Sequence, residues 1–100
     1  KVYEALELYY GIWFQDGKIA LKQSDGRMYK GMLELPGVEP IEEDFISEFK
    51  HSYTKYRLTV KLYRVENVKD EVFWFSHEEA EKAHISSLTK KALKILKEFT

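Results

Sequence analysis

The sequence predicts an α+β domain in which helices pack on a mixed sheet, and three observations lead to that class. Strand-like segments separated by turn residues fill the first two thirds of the chain. Near its middle, apolar and polar residues alternate after a two-residue turn, which is typical of a half-buried strand. Two helical segments with capping residues end the chain, the second of them amphipathic, and this combination of strands and helices indicates an α+β or α/β domain with helices packed on the sheet.

Length and composition set the first limits. One hundred residues make a single domain, 1–100, and 44% apolar with 15% aromatic residues exclude a disordered chain. Cysteine is absent, which excludes a disulfide scaffold, a cysteine nucleophile and thiolate-bound zinc or iron–sulfur centres within these residues. No apolar run approaches the roughly 20 residues of a membrane helix. We therefore expect a soluble domain, without membrane contact, that belongs to a longer protein.

The chain opens with a predicted hairpin. Residues 8–14 form a continuous apolar and aromatic run that is too short for a typical helix and rich in strand-forming residues. Asp16 and Gly17 follow, and this pair tolerates the positive φ angles of a type I′ turn. Residues 19–23 are therefore predicted to return as the partner strand.

A loop and a short helix are predicted next. Residues 24–27 predict a turn that opens the loop. Residues 31–37 predict a short strand that ends at a Pro-Gly pair. Residues 40–48 begin with proline and place acids in the first turn, where the helix macrodipole favours negative charge. This pattern predicts a helix of about two turns.

The second half begins with a predicted antiparallel pair, residues 49–53 and 56–65. In its second arm, apolar residues alternate with polar ones along a half-buried strand. Residues 72–75 are short, apolar and aromatic, and they predict a buried strand in which Trp74 and Phe75 belong to the core.

Capping residues then predict two helices. Ser76 and Glu79 have the spacing of a capping box, and the helix that they start should run to about Ala83. Ser86 or Ser87 caps a second helix. The apolar face of that helix is formed by Leu88, Ala92, Ile95, Leu96 and Phe99. Its opposite face carries Lys90, Lys91, Lys94 and Lys97.

Charge is sorted along the chain although the net charge is only −1. An acidic stretch comes first, with Glu39, Glu42, Glu43, Asp44 and Glu48. A basic stretch without acids follows, with Lys50, Lys55, Arg57, Lys61 and Arg64. A hairpin tip with aromatic, hydroxyl and basic side chains suits contact with a phosphate backbone and a base edge. A pI near 6.4 argues against strong binding of nucleic acid by this domain alone, because such binding usually rests on a clearly basic protein.

Three blocks in the same order resemble the C-terminal domain of A/G-specific adenine DNA glycosylases of the MutY type. They are Gly31-x-Leu33-x-Leu35-Pro36, then Phe49-x-His51-x-Tyr53-Thr54-Lys55, then Trp74-Phe75 with the capped helix pair. The resemblance covers nearly the whole chain, and the first block also resembles the opening of a Nudix fold. It implies a Nudix-like mixed sheet flanked by helices, with a degenerate Nudix helix.

In that family the domain faces the strand opposite the adenine being removed and recognises 8-oxoguanine through a hairpin that carries Phe-Ser-His. The matching residues here are Tyr53, Thr54 and Lys55, so the ring and the hydroxyl are kept and lysine replaces histidine. His51 matches an upstream histidine of the motif. The resemblance implies a DNA- and lesion-binding set of Tyr53, Thr54, Lys55, His51, Lys50 and Arg57.

The lesion's chemistry gives these residues roles. Guanine presents N7 as an acceptor, whereas oxidation at C8 converts N7 into an N–H donor, so a reader of the lesion needs an acceptor there. We expect Thr54 to accept that hydrogen bond, Tyr53 to pack against the base or sugar, and Lys55 to hold a phosphate.

The resemblance also implies what lies outside this domain. The family's catalytic carboxylates and its iron–sulfur cluster belong to the N-terminal region, so we expect no catalytic residue, cofactor or metal within these residues. The expected partners are double-stranded DNA containing 8-oxoguanine opposite adenine, and the catalytic domain of the same chain. The expected location is the bacterial cytoplasm, in association with the nucleoid.

Two functions of other classes stay open. A Nudix nucleotide pyrophosphatase would need a helix with an Arg-Glu pair and several carboxylates that hold magnesium. After Pro36 and Gly37 the chain has Glu42, Glu43 and Asp44 but no Arg-Glu pair, and too few residues remain before the next strand. A protein-interaction module would instead use the aromatic first hairpin to dock another domain or a repair partner.

Structural explanations compete with several of these assignments. Residues 53–55 also fit a polar hairpin tip without a ligand, and His51 fits a structural histidine. The acids of residues 39–44 are interpreted as a capping cluster rather than a metal site. The lysine face of the last helix is either solvated or bound to a nucleic-acid backbone, which the salt dependence of binding distinguishes.

Overall fold

The fold comes from a computed structural model that describes residues 2–24, 26 and 29–97. Within them the chain forms the strands β1 (Glu4–Ile12), β2 (Phe14–Gln15), β3 (Lys18–Gln23), β4 (Leu33–Glu34), β5 (Phe45–Tyr53), β6 (Tyr56–Arg64) and β7 (Phe73–Ser76). The helices are α1 (His77–Lys82) and α2 (Ser87–Lys97), and a 3₁₀ turn spans Glu42–Asp44. Mixed sheets flanked by helices confirm the predicted α+β class.

The strands form two sheets. The first has the order β1-β6-β5, with β1 parallel to β6 and β5 antiparallel to it. In the second, β3 pairs antiparallel with β2, β4 and β7. A bridge between Tyr10 and Gly37 brings the chain after β4 to the edge of β1.

The first hairpin has the predicted turn. Asp16 has φ 52° and Gly17 has φ 76°, as a type I′ turn requires. Phe14 pairs with Ile19 across the turn. Trp13 packs edge-on against Trp74, with ring centroids 4.7 Å apart, which ties the hairpin to β7.

The core lies between the sheets and α2. Leu58, Val60 and Leu62 alternate along β6 and are buried on one face of the first sheet, which we call the inner face. They share one buried cluster with Leu88 and Leu96 of α2. The opposite, outer face carries the polar residues of the same strands, because successive side chains of a strand point to opposite faces.

Both helix starts follow the predicted chemistry. At α1, Ser76 Oγ accepts a hydrogen bond from Glu79 N–H, and Ser76 N–H donates to Glu79 Oε1, which completes the capping box. At α2, Ser86 rather than Ser87 is the cap, since its Oγ accepts from Thr89 N–H at 3.1 Å. The apolar and lysine faces of α2 are confirmed through residue 97. Phe99 lies outside the described residues, as does most of the predicted turn at 24–27.

Three predictions need correction. Residues 8–14 do not form one strand paired with residues 19–23, because β1 pairs with β6 of the other sheet and only Phe14–Gln15 pair with β3. The helix expected over 40–48 is only the 3₁₀ turn Glu42–Asp44, because β5 already begins at Phe45. There Phe45 packs edge-on against Tyr63 of β6 at 5.7 Å, and pairing with β6 outweighs the local helix signal. The strand at 72–75 exists as β7, but Phe73 is exposed and Trp74 and Phe75 are only half-buried. Phe75 nevertheless packs against the buried core cluster, as predicted.

Candidate nucleic-acid interface

The candidate interface is the ribbon formed by β5 and β6, each of nine residues. Tyr53 and Tyr56 are its last cross-strand pair, and Thr54 and Lys55 form the exposed turn. The Lys55 carbonyl accepts a hydrogen bond of 3.0 Å from Glu4 N–H at the start of β1. The turn is therefore supported by a third strand and is not a free loop.

The turn has an unusual backbone. Thr54 has φ 50°, in the left-handed region, where β-branched residues are rare. A two-residue connection that follows the twist of the strands requires a positive φ, which glycine or asparagine supplies at lower cost. Strain of this kind is found where the surroundings over-determine a conformation, often at functional sites.

The inner face of the ribbon is covered near its tip. The Tyr53 ring lies 4.6 Å from the Tyr29 ring, centroid to centroid. The Tyr29 hydroxyl lies 3.0 Å from His51 Nε2 and 3.2 Å from Ser87 Oγ. Tyr53 and His51 are therefore half-buried among protein groups, and neither is a free side chain on an open surface.

The start of α2 is placed there by β4. Ser86 N–H donates to the Leu33 carbonyl at 3.3 Å, and Leu33 N–H donates to the His84 carbonyl at 2.9 Å. Ser87 is thereby fixed beside Tyr29. Sequence patterns did not point to Tyr29, or to a contact between Ser87 and His51, because these contacts join parts of the chain 22 and 36 residues apart.

Electrostatics favour a neutral His51. Burial lowers the pKa of its imidazole from the ordinary 6.5, and the positive charge of Lys91 lowers it further. A neutral ring can accept the Tyr29 hydroxyl hydrogen at Nε2. His51 is thus held under the ribbon by its contact with the Tyr29 hydroxyl, and the tautomer of the ring decides which of the two groups donates.

Two predicted cations lie on the outer face. Lys50 Nζ donates to Thr59 Oγ1 at 2.7 Å. Arg57 Nη1 donates to Ser52 Oγ at 2.8 Å, and its guanidinium lies 3.9 Å from the Tyr3 ring centroid. Both cations are therefore held in place by neutral groups.

The six predicted residues thus share one ribbon but not one surface. Thr54 and Lys55 form the tip, and Lys55 Nζ lies 5.6 Å from the Tyr56 ring centroid. His51 and Tyr53 are on the inner face, whereas Lys50 and Arg57 are on the outer face. One ligand can contact the tip and the outer face together, but the same ligand cannot easily reach the two residues on the inner face as well.

One further residue reaches the ribbon from α2. Lys91 Nζ donates to the Lys50 carbonyl at 2.6 Å, on the edge of β5 that faces away from β6. It also lies 5.5 Å from the Phe49 ring centroid. Lys91 is therefore docked against the ribbon, unlike an ordinary solvated lysine, and sequence periodicity alone placed it only on an exposed face.

The acidic cluster coincides with the 3₁₀ turn. Glu42, Glu43 and Asp44 all lie in the first turn of the 3₁₀ segment. Within residues 2–24, 26 and 29–97, no group of three or more histidine, aspartate or glutamate side chains could hold a metal ion. Nor is any helix in those ranges long and apolar enough to cross a membrane.

Comparison with known proteins identifies the fold. Neither a scan against protein-family models nor a search of curated proteins finds a match. Among solved structures, a MutT Nudix hydrolase from Burkholderia pseudomallei superposes with a TM-score of 0.71 at 14% identity, over 91% of this chain and 97% of that chain. The E. coli ORF135 protein gives 0.61 at 18% identity, over 92% of each chain.

A third solved structure is similar over nearly the whole chain. The C-terminal domain of mouse MUTYH, solved in complex with human PCNA, gives a TM-score of 0.55 at 17% identity, over 97% of this chain and 88% of that chain. At these identities the similarity establishes the fold alone. The domain has a Nudix-like fold, as the sequence resemblance implied.

Proposed function

We propose that this Nudix-like domain is a DNA-repair recognition module that binds 8-oxoguanine opposite adenine and gives specificity to an adenine glycosylase domain elsewhere in the same protein. The observation that carries the proposal is the exposed Thr54 at the turn of a braced ribbon with cations beside it. The fold shared with the MUTYH C-terminal domain supports it. The domain itself then supplies binding energy and leaves the bond cleavage to its partner domain.

Thr54 is the proposed reader of the lesion. Its side chain is exposed, and none of the described residues makes a hydrogen bond with its hydroxyl. The oxygen is therefore available to accept the N7–H of 8-oxoguanine, which undamaged guanine lacks. Because the backbone is fixed at φ 50° and tied to β1 through Lys55, little conformational entropy would be lost on binding.

The neighbouring residues take supporting roles. Tyr53 is half-buried against Tyr29, so only the uncovered part of its ring is open to a base or sugar. Lys55 is exposed at the turn and suits a phosphate. His51 acts indirectly, by holding the inner face of the ribbon to Tyr29.

The test measures preference rather than affinity alone. The full-length protein is titrated against two duplexes that differ only in 8-oxoguanine or guanine opposite adenine, followed by fluorescence anisotropy. Thr54→Val keeps the β-branched shape and removes the acceptor, so we expect the lesion preference to fall about tenfold, the equivalent of one hydrogen bond of about 1.4 kcal/mol. Affinity for the undamaged duplex should stay within about twofold.

Thr54→Ser is the matched control, because it retains the hydroxyl and should retain the preference. If Thr54→Val keeps the full preference, Thr54 does not read the lesion.

A nucleotide pyrophosphatase is the second candidate, since the MutT Nudix hydrolase gives a higher TM-score than the MUTYH domain. Residues 37–45 are all described, and they contain only the 3₁₀ turn Glu42–Asp44 where that reaction needs a carboxylate-bearing helix. Magnesium-dependent hydrolysis of 8-oxo-dGTP by the purified protein would favour this function. Its absence at high enzyme concentration would leave recognition as the better explanation.

A protein-interaction role is the third candidate. The similar MUTYH domain was solved in a complex with PCNA, and the first hairpin here exposes 49% of Phe14. If Phe14→Ser abolishes binding to a partner protein while lesion DNA leaves that binding unchanged, the domain acts as a docking module. If Phe14→Ser leaves partner binding intact, the first hairpin is not the docking site.

A further inference from the structure

A shallow hollow of about 510 Å³ lies along the flank of the β5–β6 ribbon. Three cations and two hydroxyl residues line it: Lys50, Arg57, Lys91, Ser52 and Thr59. Its remaining lining residues carry no carboxylate. A concave site with this composition is suited to an anion that accepts several hydrogen bonds.

Cross-strand pairing explains how the residues meet. Ser52 lies opposite Arg57, and Lys50 lies opposite Thr59, in the antiparallel register of β5 and β6. Each pair therefore puts one cation and one hydroxyl side by side on the outer face. Lys91 reaches the same edge from α2 by its hydrogen bond to the Lys50 carbonyl.

The cations are held but not neutralised. Lys50 and Arg57 donate to hydroxyl oxygens, and Lys91 donates to a carbonyl oxygen. Within the described residues, none of the three forms an ion pair with a carboxylate. Three like charges around one hollow repel each other, and an anion bound between them would relieve that repulsion.

Glu7 is a carboxylate on the outer face whose charge acts on Lys50, but its oxygen already has other partners. Glu7 lies opposite Thr59 across β1 and β6. Its Oε1 is 3.3 Å from Lys61 Nζ and accepts from the Tyr9 hydroxyl at 2.8 Å. The hydrogen bonds from Tyr9 and Lys61 lower the pKa of Glu7, so it stays ionised and bound to its own partners at neutral pH.

We propose that this hollow is a phosphate-binding site in which Lys50, Arg57 and Lys91, together with the hydroxyls of Ser52 and Thr59, hold a backbone phosphate of a nucleic acid. The guanidinium offers a planar fork, the ammonium groups offer charge, and the hydroxyls can turn to donate. This assignment rests on the proposed function, because it takes the phosphate from the same DNA strand whose base contacts Thr54.

The position of the hollow is compatible with one strand reaching both sites. Ser52 precedes Thr54 by two positions, so the two are about 7 Å apart along the ribbon at 3.3–3.4 Å per residue. Phosphates follow each other along one DNA strand at about 3.4 Å of helix axis. At these spacings, a base at the turn and a phosphate in the hollow belong to nucleotides about two apart in the same strand.

The experiment separates the hollow from the tip. Affinity of the full-length protein for lesion and undamaged duplexes is measured between 50 and 200 mM salt, for wild type and for Lys91→Gln. Each phosphate contact contributes about 0.9 to the slope of log K against log salt, so Lys91→Gln should lower the slope by about one. It should weaken both duplexes equally and leave the lesion preference unchanged.

Lys94→Gln is the matched control, because Lys94 is an exposed lysine of the same helix outside this hollow. Lys91→Arg should restore the slope. Equal effects of the Lys91 and Lys94 substitutions would overturn the proposal, as would a change in lesion preference without a change in slope. Thr54→Val acts on the preference alone, so failure of the tip and failure of the hollow give different results.

A second experiment distinguishes a phosphate of the DNA backbone from a free phosphate or a nucleotide. Inorganic phosphate, a mononucleotide and a short duplex are each titrated while amide shifts of Ser52 and Thr59 are followed by NMR. We expect saturable shifts with the duplex at lower concentrations than with the two small ligands, and no such shifts in Arg57→Gln. If Arg57→Gln retains the duplex-induced shifts, the hollow does not bind the phosphate.

Discussion

The Tyr29 hydroxyl lies 3.0 Å from His51 Nε2 and joins the loop before β4 to the underside of the β5–β6 ribbon. The ring of the same tyrosine packs on Tyr53, directly before the turn. Tyr29 is itself in the left-handed region, with φ 59°. One residue of a loop therefore braces the part of the ribbon that carries Thr54.

Removing the Tyr29 hydroxyl should cost stability while the ring contact remains. We expect Tyr29→Phe to lower the free energy of unfolding by about 1 kcal/mol, because His51 and Ser87 lose a partly buried partner. Tyr9→Phe is the matched control, since the Tyr9 hydroxyl bonds the exposed Glu7 and should cost only a few tenths of a kcal/mol. Urea unfolding at pH 7 measures both. Equal losses would show that the Tyr29 bond is not a brace.

Stability should depend on pH through His51. Its pKa in the folded state is lowered, mainly by burial, so the unfolded chain binds a proton more readily. The stabilisation is complete above the ordinary value of 6.5 and is lost as pH falls through the lower folded-state pKa. Wild type should therefore lose more stability than His51→Gln between pH 7 and pH 5.

The titration of Glu7 and Glu79 does not overlap the pH range in which His51 affects stability. The pKa values of Glu7 and Glu79 are lowered from 4.5 by hydrogen bonds, so their contributions are lost only at more acidic pH. Urea midpoints measured at half-unit steps for both proteins give the difference directly. Parallel curves for wild type and His51→Gln would contradict the role given to burial of the imidazole.

Threonine at position 54 should lower the free energy of unfolding relative to a residue that tolerates a positive φ. Asparagine tolerates the left-handed region, so Thr54→Asn should raise the free energy of unfolding by roughly 0.5–1 kcal/mol. Asp16 has a similar φ of 52° but is already a residue that accepts it, so Asp16→Asn should change stability little. Thermal unfolding of the two variants distinguishes strain from a general effect of asparagine. A loss of stability in Thr54→Asn would show that the threonine is not strained.

Features set by neighbouring residues could be predicted from the sequence. The type I′ turn at Asp16 and Gly17 and the capping box of Ser76 and Glu79 were both correct. In each case the groups that decide the conformation lie within four positions of one another, so the local sequence contains the whole cause. The apolar face of α2 follows from periodicity in the same way.

Features set by distant contacts could not be predicted. Phe45 belongs to a strand because it meets Tyr63, and nothing within residues 40–48 shows that contact. The association of His51 with Tyr29, and of Lys91 with β5, depends on how the loop and α2 pack. The sequence therefore predicted the exposed turn at Thr54 and Lys55, but not the residues that brace it or the hollow on its flank.

The two helix caps should differ in cost because one is buried. Ser76→Ala should lower stability by about 1 kcal/mol, as at an exposed cap. Ser86→Ala should cost more, about 2 kcal/mol, because Ser86 and Thr89 are both buried and their hydroxyls are 2.8 Å apart. In Ser86→Ala the Thr89 hydroxyl would keep only its longer hydrogen bond of 3.5 Å to the Leu33 carbonyl. Urea unfolding ranks the two variants, and a larger loss in Ser76→Ala would refute the argument.

Gly11 should tolerate no side chain because two valines occupy the space. A Cβ atom there would lie 2.6 Å from Val38 Cγ1 and 2.9 Å from Val65 Cγ2, both on stiff β-branched side chains. We expect Gly11→Ala to lower the free energy of unfolding by about 1–3 kcal/mol, and Val38→Ala in the same protein to recover part of that loss. Gly37→Ala is the control, since its nearest atom is 3.9 Å away. If Gly11→Ala and Gly37→Ala unfold at the same urea concentration, the close approach of β1 to Val38 and Val65 does not limit residue 11.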